Sequence, residues 1–200
     1  MKTAIFGGTF DPIHKGHLIL AENAYRQFGL DQVLFMPAPN PPHKTGNRIS
    51  PFQDRFEMVR MAIAGRPGFA VSDLEERLEG LSYTARTLTE YHRLYPEEEL
   101  YLILGADAFY EITGWYHPEV IMDLAGLITA VRSYEGALPA MQDQKRFLER
   151  EYDARVELLE ADAVDISSSM IRECLKKGED IREFVPEPVC RYISEHGLYR

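Results

Sequence analysis

The sequence predicts an α/β protein, a three-layer α/β/α sandwich built on a sheet that is parallel in its core. Short apolar runs alternate with longer segments of helical periodicity along the chain. The first run breaks at Gly7-Gly8 and leads into a helix and a second apolar run, a strand–turn–helix–strand unit that requires parallel pairing. The 200 residues, 45% of them apolar, are enough for one self-supporting core.

Residues 3–6 read as a buried strand stopped by Gly7-Gly8. Residues 17–28 read as a helix with Leu18, Ala21, Tyr25 and Phe28 on one face and Gly29 at its end. Residues 33–36 are a second strand. Residues 37–50 hold Pro37, Pro39, Pro41 and Pro42, which suit neither helix nor ladder. Such a long loop in a compact domain points to function or disorder. Ser50 then reads as an N-cap, with Pro51 at the first helical position and Gln53 closing a capping box, for a helix to about residue 64. Strands follow at 69–72, 100–104, 127–131 and 155–159. Helices are expected at 83–95, 118–124 and 139–152, at 167–177 behind a Ser167 cap, and from 188 to Gly197. No repeat, low-complexity tract or linker interrupts this pattern. One domain over residues 1–200 is expected, with a helical portion at about 167–200.

The formal net charge of -10 argues against a general binder of DNA, RNA or anionic membrane. A small anion remains admissible, because a few cations and backbone N–H groups hold a phosphate. Cys174 and Cys190 fit no metal or disulfide spacing and read as small buried side chains in a reducing cytosol. No secretory leader is expected ahead of Gly7-Gly8, and the longest apolar stretch, near 124–131, is too short for a bilayer. A cytoplasmic chain is expected, with a homo-oligomer left open.

The segment carrying most chemistry is Gly7-Gly8-Thr9-Phe10-Asp11-Pro12-Ile13-His14-Lys15-Gly16-His17. Its glycines allow a tight turn and close approach to a ligand. His14 and His17, three apart at a helix start, put their rings on one face beside free N–H groups and the positive dipole end. Gly16 keeps that approach open. This suits the cradling of a triphosphate. A phosphate about 4 Å away favours imidazole protonation by roughly 4 kcal/mol, against about 1 kcal/mol opposed by the dipole. Both histidines are therefore expected neutral when free and charged with a triphosphate bound. A bland helix start and a zinc site are the alternatives; zinc lacks a convincing third ligand in the sequence.

These residues resemble the GxFDPxHxGH signature of the nucleotidyltransferase superfamily, which implies a Rossmann-like fold of the nucleotidylyl transferase type and transfer of a nucleotidyl group. Four further segments resemble bacterial nicotinate-nucleotide adenylyltransferases: Pro41-Pro42-His43-Lys44, Ser82-Tyr83-Thr84, Gly105-Ala106-Asp107 with Trp115-Tyr116, and Ile166-Ser167-Ser168-Ser169-Met170-Ile171-Arg172. The closing residues 192–199 resemble that family as well. The resemblance implies ATP and nicotinate mononucleotide as substrates, Mg²⁺ arriving with ATP, and no tightly bound organic cofactor.

It also implies residue roles. His14, His17 and Arg172 are the catalytic set. Gly7, Gly8, Thr9, Phe10, Gly16, Gly105, Asp107, Arg132, Ile166, Ser168 and Ser169 would join them in binding ATP. Lys44, a mobile point charge on a loop, would close over the acceptor phosphate. Thr84 would offer a backbone N–H to the acceptor carboxylate, or serve with Ser82 as a plain cap. Trp115 would stack on the pyridine ring, with Tyr116 beside it. Asp107 is expected near a buried strand end, where a carboxylate needs a partner. The family more often has threonine where Ser169 stands, and a proline where Ser133 follows Arg132. Rival readings are a transferase for nicotinamide mononucleotide or phosphopantetheine, a non-catalytic nucleotide binder, and a metal protein using His14, His17 and His43.

Overall fold

The computed structural model describes residues 1–42, 49–78, 80–131, 137–159 and 166–199. The strands are β1 (Lys2–Gly8), β2 (Gln32–Pro37), β3 (Phe69–Val71), β4 (Glu99–Leu104), β5 (Ala125–Ala130) and β6 (Val156–Leu159). They form one sheet in the order β3-β2-β1-β4-β5-β6, and every pairing is parallel. The helices are α1 (Lys15–Gln27), α2 (Phe52–Ile63), α3 (Leu74–Arg77), α4 (Thr84–Leu94), α5 (Ala106–Glu111), α6 (Pro118–Leu124), α7 (Ala137–Tyr152), α8 (Ser168–Lys176) and α9 (Glu187–Glu195).

Strand alternation divides the core in two. Ala4, Phe6, Val33, Phe35, Ile103 and Ile128 face one side and pack with α1, α2, α8 and α9. Ile5, Leu34, Met36, Leu102, Leu104 and Leu127 face the other and pack with α3 to α7. Both faces are covered, which is why these strands read as unbroken apolar runs. The expected three-layer architecture is what the chain adopts.

Two expectations are corrected, and three short elements are added. Ser50 does not cap α2: the N-cap is Pro51, and the Gln53 amide donates to Glu76 at 2.9 Å. Ser50 spends its backbone instead, its N–H on Asp11 and its carbonyl on Arg55. β5 begins at Ala125, two residues early, because Gly126 continues the strand beneath the Tyr101 ring of β4; a Cβ there would lie 2.9 Å from that ring. The short helices α3 and α5, and a 3₁₀ turn at Ile112–Gly114, were not legible, since windows of three to six residues carry no helical period.

Ile103 is 1% exposed near the carboxyl end of β4 and belongs to the cluster under α1 and α2. Ile103→Ala should lower the unfolding free energy by about 2–5 kcal/mol, measured by urea denaturation. A loss under about 1 kcal/mol would mean that this face is not tightly packed.

Candidate active site

The sheet order reverses between β1 and β4, so connections leave their carboxyl ends toward opposite faces and open a crevice there. β1 ends in Gly7-Gly8, and β4 ends at Leu104, followed by Gly105, the N-cap of α5. A Cβ on Gly8 would press on the Phe10 ring at 3.1 Å. Phe10 itself takes a left-handed backbone (φ 48) with its ring in the core, 2% exposed, edge-on to Phe6 and His17. A non-glycine residue in that region costs of order 1–3 kcal/mol, which the ring's burial offsets. With its ring in the core, Phe10 leaves only its backbone at the turn.

The chain then turns at Asp11-Pro12 into α1, with His14 as N-cap. His14 is 6% exposed, and burial lowers its imidazole pKa to about 4, so the ring is neutral near pH 7. Its Nδ1 finds no hydrogen-bond partner among the described residues. A Cβ on Gly16 would lie 3.0 Å from that nitrogen, so only glycine leaves the ring its place. His17 Nδ1 accepts the His14 backbone N–H at 3.2 Å, which makes Nε2 the proton-bearing nitrogen of a neutral ring. The two rings stack at 3.6 Å and 26°. Two imidazolium charges that close would repel by roughly 4 kcal/mol, and a second proton on His17 would cost it the Nδ1 bond.

α8 closes the site from the far end of the chain. Ser167 caps it by accepting the Met170 N–H. The Ser168 hydroxyl donates to the Pro12 carbonyl at 2.9 Å, and Arg172 donates to the Asp11 carbonyl at 2.7 Å and to the Ser169 hydroxyl at 3.1 Å. Ile166 sits beside Gly16. The fold thus brings His14, Gly16, His17, Ile166, Ser168, Ser169 and Arg172 together around residues 11–17. Ser168 already spends its proton on the loop, which makes it a strut.

On the other side of Gly7 to Thr9 lies a cavity of about 240 Å³. Its walls include Ser82, Tyr83, Thr84, Trp115 and Tyr116, with Leu102 to Leu104 behind and Pro41-Pro42 at the edge. Tyr83 and Tyr116 stack at 4.5 Å, while Trp115 is half-buried against the second core cluster. Thr84 is the first residue of α4, where N–H groups lie beyond the reach of intrahelical carbonyls. Ser82 and Asn40 exchange two hydrogen bonds, tying this wall to the proline loop. Asp107 is exposed on α5, so the argument from a buried carboxylate does not hold for it. His43, Lys44 and Arg132 lie outside the described residues.

The sequence matches the cytidylyltransferase-like family over residues 5–174. This chain belongs to that family. Named relatives are similar along their whole length. A protein of Desulfitobacterium hafniense, named as a probable nicotinate-nucleotide adenylyltransferase, is 45% identical over 199 residues, covering 100% of this chain and 96% of the relative. One of Lachnoclostridium phytofermentans with the same name is 40% identical, covering 99% and 98%. The nicotinic acid mononucleotide adenylyltransferase of Plasmodium falciparum, solved in complex with NaAD, shares the fold at a TM-score of 0.82 and 21% identity, covering 100% of this chain and 98% of that one.

Four residues of this cytidylyltransferase-like chain escaped the sequence reading. Arg55 is 1% exposed and donates to the carbonyls of Thr9, Ala38 and Ser50 at 2.7, 2.8 and 2.9 Å. Its signal was present: Arg55, Met58, Val59, Ala62 and Ile63 form one buried helical stripe, and a cation on such a stripe needs partners. The Asp11 carboxylate accepts from the Tyr199 hydroxyl at 2.7 Å and the Ser50 N–H at 3.4 Å. Nothing local in the sequence pairs residues 188 positions apart. Buried Glu75 lines the cavity and accepts from the Thr87 hydroxyl at 2.7 Å; burial pushes its carboxyl pKa up.

The His14 shift makes stability depend on pH. Its pKa is about 4 folded against 6.5 in the free side chain, so between those values the unfolded chain binds more protons and stability rises with pH. The penalty is absent above about 6.5, and fully developed below about 4 it amounts to about 3 kcal/mol. Urea titrations of wild type and His14→Gln from pH 7 to 4 should show this component only in wild type. Parallel pH profiles would remove His14 as its source.

Proposed function

We propose that this chain transfers the adenylyl group of ATP to nicotinate mononucleotide, giving nicotinate adenine dinucleotide and pyrophosphate in NAD biosynthesis. The observation that carries this is the pairing of two half-sites across residues 7–12: an imidazole–guanidinium cluster with an unpartnered buried nitrogen on one side, an aromatic cavity at a helix start on the other. The full-length relatives at 40–45% identity support the same activity.

The acceptor phosphate is already a nucleophile at pH 7, so no general base and no covalent enzyme intermediate are needed. The 5′-phosphate oxygen bonds to the α-phosphorus of ATP as the bond to the pyrophosphate oxygen breaks, and the leaving group carries the electron pair. The protein positions both substrates and neutralises growing charge. His17 donates from Nε2, His14 from its buried ring, and Arg172 supplies the fixed positive charge. Gly7, Gly8, Thr9 and Phe10 offer backbone. Trp115 stacks on the pyridine, with Tyr116 beside it, and the N–H groups at Thr84 meet its carboxylate. Lys44 is assigned to the acceptor phosphate; Arg132, Gly105 and Asp107 are assigned to the ATP side.

Mg²⁺ enters as part of the substrate, on the ATP phosphates. Among the described residues no group of three His, Cys, Asp or Glu side chains is placed to cage a metal, so no step is assigned to a protein-held ion. Residues 1–200 act as a single domain, with 167–200 carrying the second phosphate-binding segment. Among the described residues no helix is long and apolar enough to cross a membrane, and the work is assigned to the cytoplasm.

Pyrophosphate release with ATP and each of three acceptors tests the proposal. Nicotinate mononucleotide should be preferred over nicotinamide mononucleotide and phosphopantetheine; ATP binding without turnover on any of them would overturn it. A folded His17→Ala variant should lose about a hundredfold or more in kcat, the scale of one well-placed donor. Near-normal turnover would remove His17 from the catalytic set.

A further inference from the structure

Asp11 is an anomaly in a site built for a triphosphate. It is 4% exposed, and it belongs to the turn whose backbone carbonyl receives Arg172. A carboxylate there competes with phosphate for the same guanidinium. The fold meets this with donors from elsewhere: the Tyr199 hydroxyl takes Oδ1, the Ser50 N–H takes Oδ2, and buried Arg55 lies close enough to feel the charge. Burial and the adjacent Asp11 charge push the Tyr199 phenol pKa up, so it stays a donor throughout the working pH range. The Arg172 charge reaches Tyr199 as well, which places all three groups in one electrostatic neighbourhood.

We propose that Tyr199 is a positioning residue for ATP: by holding the Asp11 carboxylate it keeps the Arg172 guanidinium available to the triphosphate. Without the hydroxyl, Oδ1 loses its donor in a buried setting, where an unmet carboxylate oxygen is costly. Arg172 is held beside this turn by its bonds to the Asp11 carbonyl and the Ser169 hydroxyl, and it is the charged donor that the freed oxygen would draw. An Arg172–Asp11 side-chain pair would then form at the expense of phosphate binding.

The proposal rests on the adenylyl-transfer reading only in naming ATP as the ligand, and its test separates the two. Affinity for a non-hydrolysable ATP analogue is measured by calorimetry without acceptor, alongside KM for each substrate, in wild type, Y199F, D11N and D11N/Y199F. Y199F should weaken analogue binding and raise KM for ATP by about tenfold, the scale of a hydrogen bond to a charged group, while KM for the acceptor moves by less than about twofold. In the D11N background the hydroxyl should matter by less than about twofold, because the competing charge is gone. A purely structural tyrosine would weaken both substrates and would not be masked by D11N. Unchanged ATP affinity in Y199F, an equal loss on both substrates, or an undiminished effect in the D11N background overturns the proposal. Should Y199F alone fail to fold, D11N/Y199F against D11N decides: equal ATP affinity supports it, and a loss above about threefold sinks it. A wild-type protein that binds the analogue but releases no pyrophosphate would instead sink the adenylyl-transfer reading and leave the Tyr199 comparison intact.

Discussion

The site depends on one buried charge. Arg55 sits on the apolar stripe of α2, where a guanidinium is expensive unless its donors are met. They are met by carbonyls of residues 9, 38 and 50, which lie in the turn after β1, the loop after β2 and the approach to α2. Three irregular segments with no ladder of their own are thus referred to a single rigid group. Farther along the same turn, the carbonyls of Asp11 and Pro12 accept from Arg172 and Ser168 of α8. The turn that leads into the histidines is thus held by donors from α2 and from α8.

This arrangement reconciles a chain of net charge -10 with an anionic ligand. Bulk charge governs long-range encounter, whereas binding is set within a few ångströms, where dielectric screening is weakest. The positive groups here are concentrated, and one of them is conditional: His14 is neutral in the free protein because of burial, and it stacks on His17. A site with permanent cations at both positions would repel itself before any ligand came.

Much of this was legible in the sequence, for identifiable reasons. The strands of a sheet covered on both faces are apolar without interruption, and the glycine-framed turn cannot be mistaken for an ordinary loop. The His14 and His17 pair at a helix start and the Ser167 cap followed from local pattern. What escaped was set by partners far along the chain. Ser50 looked like a cap because its own neighbours fit that role, yet Asp11 and Arg55 claim its backbone. Asp107 looked buried because β4 is buried, yet the chain emerges one turn later. Asp11 and Tyr199 gave no sign of each other.

The distribution of these partners along the polypeptide has a temporal meaning. β1 and the paired imidazoles come first in translation, but the α8 donors and the phenol that steadies their turn are made last, with α9 packing back onto α2. The strand pairings can form from sequential βαβ units before the α8 side of the proposed nucleotide site has been made. A chain that stops before α8 leaves one face of its sheet without the cover of α8 and α9, so the core and the proposed nucleotide site await the same last segment.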